Sequence, residues 1–133
     1  MRKIDTIIIH HSASPAKTTT PADIEKWHLE KGFSDIGYHY MIDNNGEIHK
    51  GRLEKTIGAH CKGGNRNSIG ICVFGDFEKE IASPKAFSTL IDLTENISLR
   101  YKIKKILPHL SLGKTKCPGK NMINDVNLLK INF

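Results

Sequence analysis

Thr6-Ile7-Ile8-Ile9-His10 is the stretch on which the fold turns. It is a continuous β-branched run with no polar residue at alternate positions. A strand of this kind has no face to offer water, so it predicts a strand buried on both sides and central in a sheet. The run ends on an imidazole.

Outward from it, Ser12 to Thr20 reads as a loop. Thr20-Pro21-Ala22-Asp23 combines a hydroxyl N-cap, a proline in the first turn and an acid at the positive end of the dipole. It predicts a helix to about Lys31, stopped at Gly32, with Ile24, Trp27, His28 and Lys31 at helical spacing. Tyr38 to Ile42 reads as a second strand. Asn44-Asn45-Gly46 is a hairpin turn, because Asn and Gly tolerate positive φ. Glu47 to Gly51 is the return strand. Residues 55–67 form a glycine-rich loop carrying His60, and Ser68 to Phe74 is another buried strand.

Ser83 caps a helix that Pro84 opens and that runs to about Leu99. Phe87, Leu90, Ile91, Thr94 and Ile97 form its apolar stripe. Lys105 to Leu107 is a short strand ending at Pro108-His109. Ser111 to Lys120 is a loop, and Asn121 to Leu129 a last helix. The order is strand, helix, hairpin, strand, helix, strand, helix. It predicts an α/β fold with a single mixed β-sheet and helices packed on its faces.

The 133 residues suit one domain, 1–133. Apolar residues at 38%, with five Phe, three Tyr and one Trp, exclude a disordered chain. No run approaches the ~20 apolar residues of a membrane span. The apolar run at residues 7–9 is too short for a signal peptide, so synthesis in the cytoplasm is expected, and a target outside requires a separate release factor. Three cysteines, an odd number without framework spacing, predict reduced thiols rather than a disulfide scaffold. Twenty basic against 14 acidic residues give a net charge of +6. That favours polyanions in general, whether nucleic acid, anionic lipid or a phosphate-rich wall. A nucleic-acid regulator is the weaker reading, since neither a helix-turn-helix signal nor an aromatic-interleaved basic groove is present.

His10 and His109 each end a strand, so neighbouring strands would make their rings converge. Cys117 follows His109 by eight residues across a loop with Gly113 and Pro118. Two imidazoles and one thiolate suit zinc, with one position left open for water. No Cys-x-x-Cys or His-Glu-x-x-His accompanies them, so spacing alone leaves open a set of surface histidines and a stray thiol.

Seven blocks in order carry more. They are Thr6-Ile-Ile-Ile-His-His-Ser-Ala-Ser14, Gly37-Tyr-His-Tyr40, Asn45-Gly46 with Gly51-Arg52, Gly58-Ala-His60, Asn67-Ser-Ile-Gly-Ile71, Leu107-Pro-His109 and Lys116-Cys-Pro-Gly119. In these, over residues 5 to about 120, the chain resembles the type 2 N-acetylmuramoyl-L-alanine amidases. That group includes short phage lysozyme-like amidases and the animal peptidoglycan recognition proteins. The resemblance implies a Zn2+ enzyme that cuts the amide between N-acetylmuramic acid and L-Ala of bacterial peptidoglycan. It implies His10, His109 and Cys117 as metal ligands and Tyr38 as a catalytic position. Where relatives carry Lys or Thr two residues before the cysteine, this chain has Thr115. Zinc in such a site would lower the pKa of a bound water from ~15.7 toward ~7, and the Tyr38 and Thr115 hydroxyls would either donate to the developing oxyanion or orient that water.

His60 is read as a substrate contact or a plain loop histidine, and Arg52 and Asn67 as groove contacts, Asn67 alternatively fixing its loop. His11 and His39 should point away from their site neighbours, because strand side chains alternate. His28 and His49 are expected at the surface, Trp27 in the core, and Cys61 and Cys72 inert. The absence of a signal peptide and of a wall-binding module fits a phage or prophage endolysin, expected as a monomer without need of nucleic acid and released by a holin-type membrane-lesion partner. The rival is a non-catalytic peptidoglycan-binding module; such relatives often lack the cysteine ligand that Cys117 supplies here.

Overall fold

In the computed structural model, which describes residues 2–130, the Ile7-Ile8-Ile9 run is fully buried and forms the middle of β1 (Thr6–His11). The chain continues through α1 (Pro21–Glu30), β2 (Tyr40–Ile42), β3 (Ile48–Lys50), β4 (Ser68–Val73), α2 (Pro84–Arg100), β5 (Lys105–Pro108), a 3-10 turn (His109–Ser111) and α3 (Lys120–Lys130). The termini of the proposed 1–133 domain, residue 1 and residues 131–133, lie outside the described residues.

The five strands form one mixed sheet in the order β3-β2-β4-β1-β5. Among the described residues β1 runs parallel to both β4 and β5, β2 is parallel to β4, and only β2 and β3 are antiparallel. Side-chain alternation divides the core between the two faces. Ile7, Ile9, Ile69, Ile71 and Val73 pack with Leu90 and Ile97 of α2 and Met122 and Val126 of α3. On the opposite face Ile24 of α1 packs with Ile36, Met41, Cys72 and Phe74. His10 belongs to that second face and His11 to the first.

Helix starts follow their caps. The Thr20 side chain accepts from Asp23 N and Asp23 reaches back to Thr20 N, completing a capping box. Ser83 accepts from Ala86 N.

Several expectations change. β2 begins at Tyr40 rather than Tyr38: Gly51 N and Arg52 N donate to the His39 and Tyr38 carbonyls in succession, whereas a regular antiparallel ladder uses alternate residues. The α2 stripe centres on Leu90, Leu93, Thr94 and Ile97, with Phe87 and Ile91 at its margin. Trp27, expected in the core, is 38% exposed, because α1 turns Ile24 and His28 inward instead. His28 is therefore buried rather than superficial. His49 is half-buried, bonded to Asp43 and stacked on Phe74. Among the described residues no helix is long and apolar enough to cross a membrane.

Candidate metal centre and cleft

Because β1 and β5 are parallel neighbours with Ile9 opposite Pro108, His10 and His109 leave the same end of the sheet side by side. Their ring centroids are 4.6 Å apart. The loop after the 3-10 turn folds back: Leu110 N donates to Cys117 O at 2.8 Å, closing the eight-residue span. One ligand atom each from His10, His109 and Cys117 then lies within 4.8 Å of the others. This donor set, two imidazoles and a sulfur, fits zinc.

His10 is buried at 1% exposure and Cys117 at 8%. Burial holds His10 and His109 below the ordinary histidine range, so both rings are neutral, the form that binds a metal. Burial pushes the Cys117 thiol up to about 12. The His11 N–H at 3.3 Å from its sulfur opposes that rise and favours the thiolate. Cys117 N donates to Thr115 Oγ1 at 3.2 Å, and Thr115 lines the cleft.

These residues line a cleft of about 510 Å³. Tyr38 lies across it, 5.0 Å from the His10 ring. Gly37 lets the loop that carries His60 approach this closely: a Cβ there would sit 2.0 Å from the Ala59 carbonyl oxygen. Burial raises the Tyr38 phenol well above its ordinary value, with Cys72 and Cys117 adding to it, so it remains a hydrogen-bond donor. Lys31 and Lys62 stand at the margin, and among the described lining residues there is no carboxylate. The cleft is electropositive.

The other expected contacts fall elsewhere. Arg52 does not line this cleft; it donates to the Ile36 and Ile57 carbonyls and holds two loops together. Asn67 bonds Asp5 through its side chain and accepts Asp5 N through its carbonyl, fixing the start of β1. His60 does reach the cleft, but both its ring nitrogens are engaged by the protein. His11 accepts from Phe77 N on the far face, and His39 accepts from Gly70 N.

Sequence reading missed His28, whose Nδ1 accepts from Gly37 N and whose ring lines the cleft beside Tyr38. The signal was present, since His28 sits one turn after Ile24 on the same helix face. It also missed Lys31, which follows His28 at helical spacing, and Phe33, Lys62 and Asn65, for which spacing carries no cue.

Fold and site together define a class: an α/β domain in which two histidines at the ends of neighbouring parallel strands meet a loop cysteine in a cluster that could hold a metal ion. The sequence pattern of the N-acetylmuramoyl-L-alanine amidases matches residues 1–120. The chain is 32% identical over 121 residues to the endolysin of Escherichia phage T7, covering 86% of this chain and 80% of that one. The amidase LysC of Clostridium intestinale superposes with a TM-score of 0.90 at 32% identity, over 98% of this chain and 87% of its own. Drosophila peptidoglycan recognition protein LB superposes at 0.86 with 31% identity, over 96% and 81%. The chain belongs to the N-acetylmuramoyl-L-alanine amidase family and is an amidase of that kind.

Proposed function

We propose that this chain is a zinc-dependent endolysin-type amidase that hydrolyses the bond between N-acetylmuramic acid and L-Ala of bacterial peptidoglycan. The observation that carries the reading is the convergence of His10, His109 and Cys117 at the floor of an electropositive cleft. Zinc held there supplies a Lewis acid and makes water a competent nucleophile near neutral pH.

The protein's own part is positional. His10 and His109 present neutral nitrogens from the rigid ends of β1 and β5. Tyr38, kept as a phenol by burial, donates to the oxyanion that forms on the amide carbonyl, and Thr115 does the same from the facing loop. Lys31 and Lys62 attract a substrate bearing carboxylates. Arg52 and Asn67 act by holding the loops that shape the cleft. The enzyme acts as a monomer on the wall and reaches it through a separate membrane-lesion partner of the holin type.

Purified chain should contain one zinc and release free L-Ala amine from isolated walls. His10→Ala, His109→Ala and Cys117→Ala should each remove both properties while retaining the fold. Tight wall binding with no amine released would favour a recognition module and overturn the catalytic reading.

A further inference from the structure

The two ring nitrogens of His10 have different neighbours. Nδ1 is 3.7 Å from Cys117 Sγ, on the side of the ligand cluster. Nε2 is 2.8 Å from His60 Nδ1. His60 Nε2 is in turn 3.2 Å from Ser68 Oγ, and the Ser68 hydroxyl donates to the Gly64 carbonyl at 2.6 Å.

Proton positions follow by elimination. Ser68 has one hydroxyl hydrogen, and Gly64 takes it. Toward His60, therefore, Ser68 is an acceptor and His60 Nε2–H is the donor. Neutral His60 then offers a lone pair at Nδ1, and His10 Nε2–H donates to it. The lone pair of His10 is left on Nδ1, facing Cys117.

We propose that His60, backed by Ser68 and the Gly64 carbonyl, is a positioning residue that fixes the His10 tautomer and aims Nδ1 at the metal. This rests on the ligand assignment made above. Metal-binding histidines ordinarily need such a partner on the second nitrogen, because ring rotation and the wrong tautomer both remove the ligand. The surroundings of His60 are built for the task. Asn65 Oδ1 accepts both His60 N and Cys61 N, at 3.0 and 2.9 Å, so the backbone is pinned. The ring lies over Gly70 of β4, where a Cβ would come within 2.6 Å of it. It meets the His10 ring edge-on at 86°.

The test uses the full chain. Zinc affinity is measured by competition with a chromophoric chelator, and the protonated nitrogen of His10 is read from 15N ring shifts in metal-stripped protein. Wild type should carry the His10 proton on Nε2. His60→Phe should weaken zinc binding 10- to 100-fold and populate the Nδ1–H form of His10. His60→Asn keeps an acceptor close to the Nδ1 position and should recover most of the loss, which a role in packing alone would not produce. Ser68→Ala should loosen the His60 tautomer and weaken zinc by less than His60→Phe.

Wild-type zinc affinity in folded His60→Phe, or a wild-type His10 protonated at Nδ1, would overturn the proposal. If His60→Phe does not fold, the wild-type tautomer and Ser68→Ala decide. A wild-type chain that binds no zinc would sink the ligand assignment instead, and the His10 tautomer would still report on the relay.

Discussion

Tyr38 and Cys117 show how much of the chemistry depends on surroundings. The Tyr38 hydroxyl is in the sequence, but burial makes it a persistent donor, and the fold sets its ring beside that of His10. Tyr38→Phe removes one donor and leaves the ligands in place. It should retain zinc and lower kcat by roughly 100- to 1000-fold, with KM little changed, in steady-state assays on soluble muropeptide. Equal loss of zinc in this variant would show that the hydroxyl holds the metal site rather than the transition state. Thr115 accepts Cys117 N, and its hydroxyl is proposed as a second oxyanion donor. Thr115→Ser should keep both, while Thr115→Val should cost zinc affinity as well as rate when the two are measured side by side.

At the scale of elements, α2 is tied down at its start and along its length. The Ser83 hydroxyl accepts from Ala86 N and donates to the Asn44 carbonyl, joining the helix start to the β2–β3 turn. Ser83→Ala should cost about 1 kcal/mol in urea unfolding, the usual size of a lost cap. Leu90 is fully buried between α2 and the sheet. Leu90→Ala should cost about 2–5 kcal/mol, through lost transfer energy and the cavity left behind. Packing therefore outweighs capping in holding α2 on the sheet. A larger effect at Ser83 than at Leu90 would reverse that ranking. The loop between β3 and β4 depends on Glu54, which takes hydrogen bonds from Arg100 at 2.6 and 2.8 Å, from Tyr101 at 2.7 Å, and from Tyr40. The Arg100 bond, the largest cause, holds the Glu54 carboxyl at about 2, below its ordinary 4.5. A depressed carboxyl stabilises the fold fully above pH 4.5 and loses that contribution as pH falls toward 2. Glu54→Gln should be less stable at neutral pH by roughly 1 kcal/mol, the pair being partly solvated. Its stability should also change less than wild type across that acid window.

For the whole molecule, zinc would bridge β1 to the loop after β5 and thereby cross-link the two ends of the chain. At a hundredfold excess over Kd it should add about 2.7 kcal/mol and raise Tm by roughly 10 °C. Chelator should reverse the shift, and Cys117→Ala should show none. Much of this architecture is legible in the residues themselves. The isoleucine run declares a central strand, Thr20 and Ser83 declare helix starts, Asn45-Gly46 declares a turn, and the ordered blocks declare the family. Each is a local pattern, because propensity, capping and alternation act among near neighbours in the chain. Even the face of His10 follows from alternation along β1. What the sequence left open is whatever joins distant segments. His60 meets His10 across 50 residues and Cys117 meets it across 107. Those contacts exist because β1 lies between β4 and β5 and because two loops close over the strand ends. The same closures turn Arg52 and Asn67 away from the cleft, bury His28 in it, and occupy both nitrogens of His60. Local patterns set the elements, but only the order of strands in the sheet decides which side chains share one cleft.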